Sequence, residues 1–205
     1  MKNKQLIKTL IPITLLMGIF IASIMAILSG PQANASTNES TATFSPSSAA
    51  ISMNLWIEGI SGESKIAGRE GSIDIIAFSH NIKVGYDTGA ARIETAEHAP
   101  IRFIKTIDKA TPKLYEACSK GTKYPVTFTC FYEPNALDYY TIQLTGAMAV
   151  SVQNYGTVEF GDVPMEQVSF IYDTIKWIYT EYDEQGQAKG NVEYQDTWPS
   201  ASEPT

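Results

Sequence analysis

The sequence predicts a mainly β protein, an antiparallel β-barrel or sandwich with one short α-helix. Three observations lead to this class: apolar residues alternate in many short segments, only one segment has a convincing helical pattern, and glycines or prolines separate the segments. Many short strands joined by turns are typical of sandwiches and barrels.

The first strand and the loop after it are the most informative part of the chain. Ile51, Met53, Leu55 and Ile57 alternate and share one face, and a thirteen-residue loop with four glycines follows, from Gly59 to Gly71. Glycine supplies the positive φ angles that a long ordered loop needs. Because no nucleophile, metal-ligand cluster or phosphate-binding motif accompanies the loop, we expect it to contact another molecule. The candidate contact residues are Gly59, Ser61, Gly62, Glu63, Ser64, Lys65, Gly68, Arg69, Glu70 and Gly71.

The next strand, residues 73–78, is apolar on both faces and is therefore predicted to be covered on both sides. Residues 84–100, with two glycines and a proline, are expected to connect it to a strand that opens at Ile101.

A single helix is predicted next. Thr111 is expected to cap it, Pro112 suits the first helical position, and residues 113–120 place their apolar side chains on one side. Gly121 stands where a left-handed residue ends a helix. Such a short helix is not stable alone, so packing must hold it.

Alternation then resumes to the end of the domain. Five further strands are predicted, at residues 126–132, 138–145, 147–155, 165–172 and 175–182. Gly146 is expected to separate the second of these strands from the third.

The N-terminal 35 residues have the pattern of an export signal. Three lysines precede the apolar residues 11–28, and Ala33-Asn34-Ala35 predicts cleavage between Ala35 and Ser36. The 18-residue apolar stretch is also just long enough for an uncleaved membrane anchor. The Ser/Thr-rich residues 36–50 are expected to be a linker, residues 51–195 the β domain, and residues 196–205 a flexible tail.

Charge and chemistry exclude several function classes. Without the three lysines of the signal, 12 basic residues face 22 acidic ones, a net charge of −10, which argues against nucleic acid and anionic membrane partners. His80 and His98, the only histidines, lack further ligands at a metal-site spacing, so each is expected to be solvated or hydrogen bonded. No carboxylate pair or serine elbow indicates catalysis, so no enzyme activity and no cofactor are expected.

Cysteines and aromatic residues leave alternatives open. Cys118 and Cys130 either form a disulfide, as exported proteins allow, or are small buried hydrophobic residues. The many tyrosines and tryptophans of the C-terminal half suit the core and subunit contacts, or alternatively a carbohydrate platform.

Several segments, in the right order, resemble the haemolysin-coregulated protein (Hcp) family of type VI secretion tube proteins. The residues that carry the resemblance are Ile57–Ser64, Gly68–Ile75, Ala110–Cys118, Val126–Cys130, Pro164–Phe170 and Ile175–Tyr179. The resemblance implies an Hcp-like β-barrel with one helix, homohexameric rings stacked head to tail into a tube, and a glycine-rich loop between rings. It also implies that the partners are copies of the chain, secretion-system components or carried effectors.

One feature departs from this family, whose usual member has no export signal. The resemblance and the signal together predict an exported ring-forming subunit that is secreted or at the cell surface, or periplasmic if the host has an outer membrane. The alternative is a monomeric β-sandwich binding module for surface glycans, either secreted or displayed from a membrane anchor.

Overall fold

The computed structural model describes residues 49–87, 92–93, 96–156 and 163–198. The predicted signal with its predicted Ala35–Ser36 cleavage site, nearly all of the predicted linker and the end of the predicted tail lie outside the described residues. The elements are β1 Ile51–Ile57, β2 Ile73–Asp74, β3 Ala77–Ser79, β4 Ile82–Lys83, β5 Tyr86–Asp87, β6 Arg92–Ile93, β7 Glu97–His98, β8 Ile101–Thr106, α1 Thr111–Lys120, β9 Lys123–Tyr132, β10 Leu137–Tyr155, β11 Met165–Ile171, β12 Thr174–Tyr182 and β13 Ala188–Thr197. The predicted class, mainly β with one helix, is confirmed.

Nine of the strands form one antiparallel sheet in the order β2-β1-β9-β10-β11-β8-β3, with β12 beside β10 and β13 beside β12. Strand β10 is the central strand of this sheet and pairs with three others. One edge of β10 pairs with β9, while the other pairs first with β12 at residues 140–145 and then with β11 at residues 148–155. Strands β4 and β7 form a separate small sheet, as do β5 and β6.

The two strands predicted around Gly146 are one strand of 19 residues. Gly146 has a φ of +60°, and the pairing register with β9 shifts between Leu144 and Ala147. A Cβ at Gly146 would lie 2.0 Å from a carboxylate oxygen of Asp173. Glycine therefore allows a bulge that bends the strand without ending it.

The prediction of one strand over residues 73–78, covered on both sides, was wrong. The segment turns between two partners, because β2 pairs with β1 and β3 pairs with β8. Ile76, at the turn, is 50% exposed. The predicted connection over residues 84–100 contains the short strands β5, β6 and β7.

The helix ends where predicted but begins one residue earlier, at Thr111, and its first turn is held differently. The N-cap residue is Ala110, without a side-chain cap, and the Thr111 hydroxyl instead donates to Glu166 Oε1 at 2.9 Å. Gly121 has the expected left-handed φ of +62°. The helix buries Leu114 and Ala117 against the strands.

The C-terminal strand β13 was not predicted. Its sequence, AKGNVEYQDT, is mostly polar and lacks a clear apolar face. It extends to Thr197, two residues into the predicted tail, and the indole of Trp198 contacts the ring of Tyr172 at 5.1 Å between centroids.

The core lies on the inner side of the sheet. Phe103 is fully buried at its centre and contacts Phe128 at 5.1 Å and Phe170 at 6.1 Å between ring centroids. Among the described residues, no helix is long and apolar enough to span a membrane.

Candidate assembly surfaces and buried polar clusters

The glycine-rich loop is folded back on itself. The Gly62 N–H donates to the Gly71 carbonyl oxygen at 2.8 Å, and the Ser64 N–H donates to the Ser72 carbonyl oxygen at 3.0 Å. A Cβ at Gly62 would lie only 2.3 Å from the Ser72 carbonyl oxygen, so no larger residue fits there. The backbone of the loop is therefore fixed by its own hydrogen bonds.

Only part of the predicted contact set faces outward. Gly62 and Ser64 are buried inside the loop, and Arg69 and Gly71 are partly buried. These four residues shape the loop and offer little contact area. The exposed members of the set are Gly59, Ser61, Glu63, Lys65, Gly68 and Glu70. We call these six residues the loop surface.

Arg69 attaches the end of the loop to the turn between β9 and β10. Its guanidinium lies 4.7 Å from the ring centroid of Phe131, donates to the Ala136 carbonyl oxygen at 3.1 Å and forms an ion pair with Asp138. Burial raises the pKa of Asp138, and the Arg69 charge acts in the opposite direction. The loop is thereby held against the body at a defined position.

The outer face of the sheet carries a polar cleft of about 670 Å³. Its wall includes many short hydroxyl and amide side chains, the charged side chains of Arg69, Glu70 and Asp138, and the indole of Trp56 at 53% exposure. These side chains lie side by side on neighbouring strands, since Trp56 pairs with Thr127 and Thr127 pairs with Gln143.

The hairpin of β12 and β13 exposes apolar side chains on the other face. Trp177 stacks on Tyr194 with 5.7 Å between centroids and 9° between planes. Tyr179 is 47% exposed, Tyr194 62% and Val192 75%. Within the described part of the chain, β13 pairs only with β12. We call Tyr179, Val192 and Tyr194 with the outer edge of β13 the hairpin surface.

A buried ionic cluster joins β8, β11 and the start of α1. The Lys105 ammonium group lies 2.7 Å from Glu166 Oε1 and 2.7 Å from Asp108 Oδ1, and Lys105 and Glu166 are 1% and 0% exposed. Asp108 Oδ1 also accepts from the Ala110 N–H at 2.9 Å. We call Lys105, Asp108, Thr111 and Glu166 the ionic cluster.

The two histidines meet at one phenol. The Tyr172 hydroxyl lies 2.8 Å from His80 Nε2 and 3.0 Å from His98 Nδ1, and His98 Nε2 lies 3.4 Å from Asp196 Oδ2. The expectation of hydrogen-bonded histidines is confirmed. Their proximity was missed, because no sequence pattern links His80, His98 and Tyr172. We call these residues with Asp196 the histidine cluster.

The cysteines do not form the disulfide that was one alternative. Both thiols are free: Cys130 is buried in β9 and Cys118 is half-buried on α1. Burial raises the pKa of the Cys130 thiol to about 11. For Cys130 the structure agrees with the other interpretation, a small buried hydrophobic residue, whereas Cys118 is only partly buried. No group of three or more histidine, cysteine or carboxylate side chains that could hold a metal ion comes together among the residues described.

Comparison with known proteins decides the family. The sequence profile described as "Type VI secretion system effector, Hcp" matches residues 54–179. This chain belongs to the Hcp family. The match begins within β1 and ends within β12, so it includes the glycine-rich loop and the helix and precedes β13.

Two proteins of Pseudomonas aeruginosa are similar over most of their length. The "Major exported protein" is 25% identical over 141 residues, covering 63% of this chain and 81% of its own. "Protein hcp1" is 31% identical over 114 residues, covering 53% and 70%.

Solved Hcp structures share the fold. Hcp1 from E. coli EAEC 042 is 26% identical with a TM-score of 0.59, covering 72% of this chain and 97% of its own. Hcp1 from Salmonella typhimurium has a TM-score of 0.60 at 23% identity, covering 73% and 95%.

Proposed function

We propose that this Hcp protein is a structural subunit that closes into homohexameric rings, which stack head to tail into a tube. Family membership is the observation that carries the proposal. Its partners are copies of itself, and secretion-system components or carried effectors are further partners. The protein binds and assembles and does not catalyse a reaction.

The loop surface is suited to contacts between rings. Its backbone is fixed by internal hydrogen bonds and by Arg69, so little conformational entropy is lost when it docks. Glu63 and Lys65 are exposed and carry opposite charges, which favours contact with a surface of complementary charge.

The hairpin surface is suited to contacts within a ring. An unpaired strand edge readily recruits a neighbouring chain, and exposed tyrosines are typical of subunit interfaces. A closed ring needs two different patches per subunit. The hairpin surface supplies one of them.

Sedimentation and electron microscopy test ring formation. The protein that begins at Ser36 is expected to sediment as a hexamer at tens of micromolar and to show rings in negative stain. Tyr194→Asp is expected to yield monomers, whereas Tyr115→Asp on the exposed side of α1 leaves the rings intact. A wild-type protein that stays monomeric would refute the proposal.

A charge swap tests the loop surface. The double variant Glu63→Lys/Lys65→Glu is expected to form rings but only short stacks, because it reverses local charges at constant net charge. The matched control is Lys113→Glu/Glu116→Lys, an exposed pair on α1 with a separation of 2.7 Å between its charged atoms. Equal tube lengths in both variants would contradict a role of the loop in stacking.

We propose further that residues 1–35 direct export and that the protein acts outside the cytoplasm. The Ala33-Asn34-Ala35 pattern supports cleavage before Ser36. N-terminal sequencing of the protein recovered outside the cytoplasm is expected to begin at Ser36. A start at Met1 would instead favour the membrane anchor.

The polar cleft favours one second candidate, a glycan-binding module. An exposed indole beside hydroxyl and amide groups suits a sugar ring, which offers an apolar face and many hydroxyls. Binding of neutral oligosaccharides on a glycan array, lost in Trp56→Ala, would support it. Silence on the array together with ring particles in micrographs would eliminate it.

A further inference from the structure

The histidine cluster brings two imidazoles to one phenol oxygen. His80 Nε2 lies 2.8 Å and His98 Nδ1 lies 3.0 Å from the hydroxyl oxygen of Tyr172. Histidine, cysteine and carboxylate groups alone form no metal site in the described part of the chain. A phenol can complete a set of ligands that two histidines begin, since tyrosine is itself a metal ligand in some iron proteins.

The distances in this cluster fit three corners of a square around one metal ion. Ligand atoms bound at about 2.0–2.1 Å lie about 2.9 Å apart when their bonds are at right angles, and about 3.3 Å apart in a tetrahedron. Both nitrogen–oxygen distances match the square. Two imidazoles on opposite sides of an ion have ring centroids roughly 6 Å apart, and the centroids of His80 and His98 are 6.3 Å apart. The rings therefore suit trans positions, with the Tyr172 oxygen between them.

The surroundings of the cluster balance the charge of a divalent ion. His98 Nε2 lies 3.4 Å from Asp196 Oδ2, on the side of the ring away from the phenol. A carboxylate in this position orients a metal-binding histidine and raises its basicity. When the phenol gives its proton to solvent, the phenolate and the Asp196 carboxylate together carry two negative charges. These equal the charge of the ion, as burial of a charge requires.

Without an ion, hydrogen bonds between the three side chains hold them in place. Burial and the Asp196 charge raise the pKa of Tyr172, so its phenol is then neutral. A divalent cation bound to the oxygen reverses this preference, because its charge favours the phenolate. The enclosure is aromatic, since the indoles of Trp177 and Trp198 each lie 5.9 Å from one of the imidazoles. The ligands are therefore positioned before an ion binds.

We propose that His80, His98 and Tyr172 bind one divalent copper ion per chain, with the two imidazoles trans to each other and the phenolate oxygen between them. Nitrogen and oxygen ligands in a square arrangement select Cu²⁺ or Ni²⁺ over Zn²⁺, and Cu²⁺ binds such ligands more tightly than Ni²⁺. Solvent fills the fourth corner and can approach past His80, whose side chain is only partly buried. The ion links the segment after β3 to β7 and to the end of β11.

Titration of the full chain with Cu²⁺ tests the site. One ion per chain is expected, with a phenolate-to-copper charge-transfer absorption and an electron paramagnetic resonance spectrum that shows two coupled nitrogens. Tyr172→Phe is expected to abolish the absorption, and both it and His80→Gln to weaken binding by about tenfold or more. The control Tyr115→Phe, on an exposed tyrosine of α1, should change neither. A wild type without the charge-transfer absorption would overturn the proposal.

A variant beside the ligands keeps the test independent of their removal. Asp196→Asn retains all three ligands, so the absorption is expected to persist while binding weakens about ten- to hundredfold. Copper held only by surface carboxylates would bind wild type and His80→Gln equally, which would overturn the site. Zn²⁺ that binds as tightly as Cu²⁺ would overturn the square arrangement. Neither result depends on whether the subunits form rings.

Discussion

The ionic cluster and the histidine cluster are both buried and hydrogen bonded, but they differ in what their charges depend on. Lys105 and Glu166 lie on paired strands and meet directly across β8 and β11. Lysine and carboxylate side chains ordinarily keep their charges throughout the neutral range, whereas imidazoles change theirs there. The first cluster is therefore a direct ion pair between two strands, whereas the second contains an imidazole, His80, whose pKa burial lowers.

The largest expected effect is on the ionic cluster. Lys105→Met leaves Glu166, which is 0% exposed, without its cation. Removing one partner of a buried ion pair costs about 3–5 kcal/mol of unfolding free energy. Urea denaturation measures this loss of unfolding free energy. The control is Lys113→Met, which removes an exposed lysine and should show no measurable loss.

Replacing both members of the ion pair by apolar residues tests the same interaction further. Lys105→Met/Glu166→Leu is expected to recover stability relative to Lys105→Met, because apolar replacement of a buried pair removes the uncompensated charge. A double variant less stable than the single one would show that Glu166 still stabilises the fold without Lys105, through the hydrogen bond that it accepts from Thr111.

A smaller loss is expected in the histidine cluster. Tyr172→Phe removes the hydroxyl that contacts both imidazoles and leaves the buried nitrogen of His98 unpaired, at a cost of about 1–3 kcal/mol. Tyr115→Phe, on a tyrosine of α1 that is 42% exposed, is the control in the same denaturation assay. Equal unfolding free energies for Tyr172→Phe and the wild type would mean that water replaces the hydroxyl.

The smallest effect is a dependence on pH that His80 contributes. Its pKa is lowered in the folded protein, so below the ordinary value of about 6.5 the unfolded chain binds more protons than the native state. Its contribution to stability is thus present above that pH and is lost as pH falls through the folded pKa. His80→Gln is expected to flatten the decline in unfolding free energy below pH 6.5. If the unfolding free energy of His80→Gln declines as in the wild type, the decline is due to carboxylates.

Local patterns predicted the local features of this fold. The Pro112 start and the Gly121 end of the helix, and the alternation of β1 and β9, depend on residues close in sequence. β13 was missed because it pairs on one edge and buries little, so it needs no apolar face. Gly146 predicts a break between two strands, because a glycine in the sequence marks a strand end and a bulge alike.

The candidate sites required knowledge of the tertiary structure. Lys105 and Glu166 are 61 positions apart, and a charged residue in a strand usually indicates solvent. His98 and Tyr172 are 74 positions apart and meet only because β7 and the end of β11 lie together. The exposed half of the loop could not be separated from the buried half without its hydrogen bonds.

The length of β10 has a consequence for the mechanical unfolding of a subunit. Because one backbone hydrogen bonds to β9, β12 and β11, pulling on any of these three strands loads the same element. β9, β11 and β12 therefore cannot leave the sheet without breaking hydrogen bonds to β10, whereas among the described strands β13 pairs only with β12. Forced extension of a single subunit should accordingly release β13 first and then show one rupture of the strands around β10.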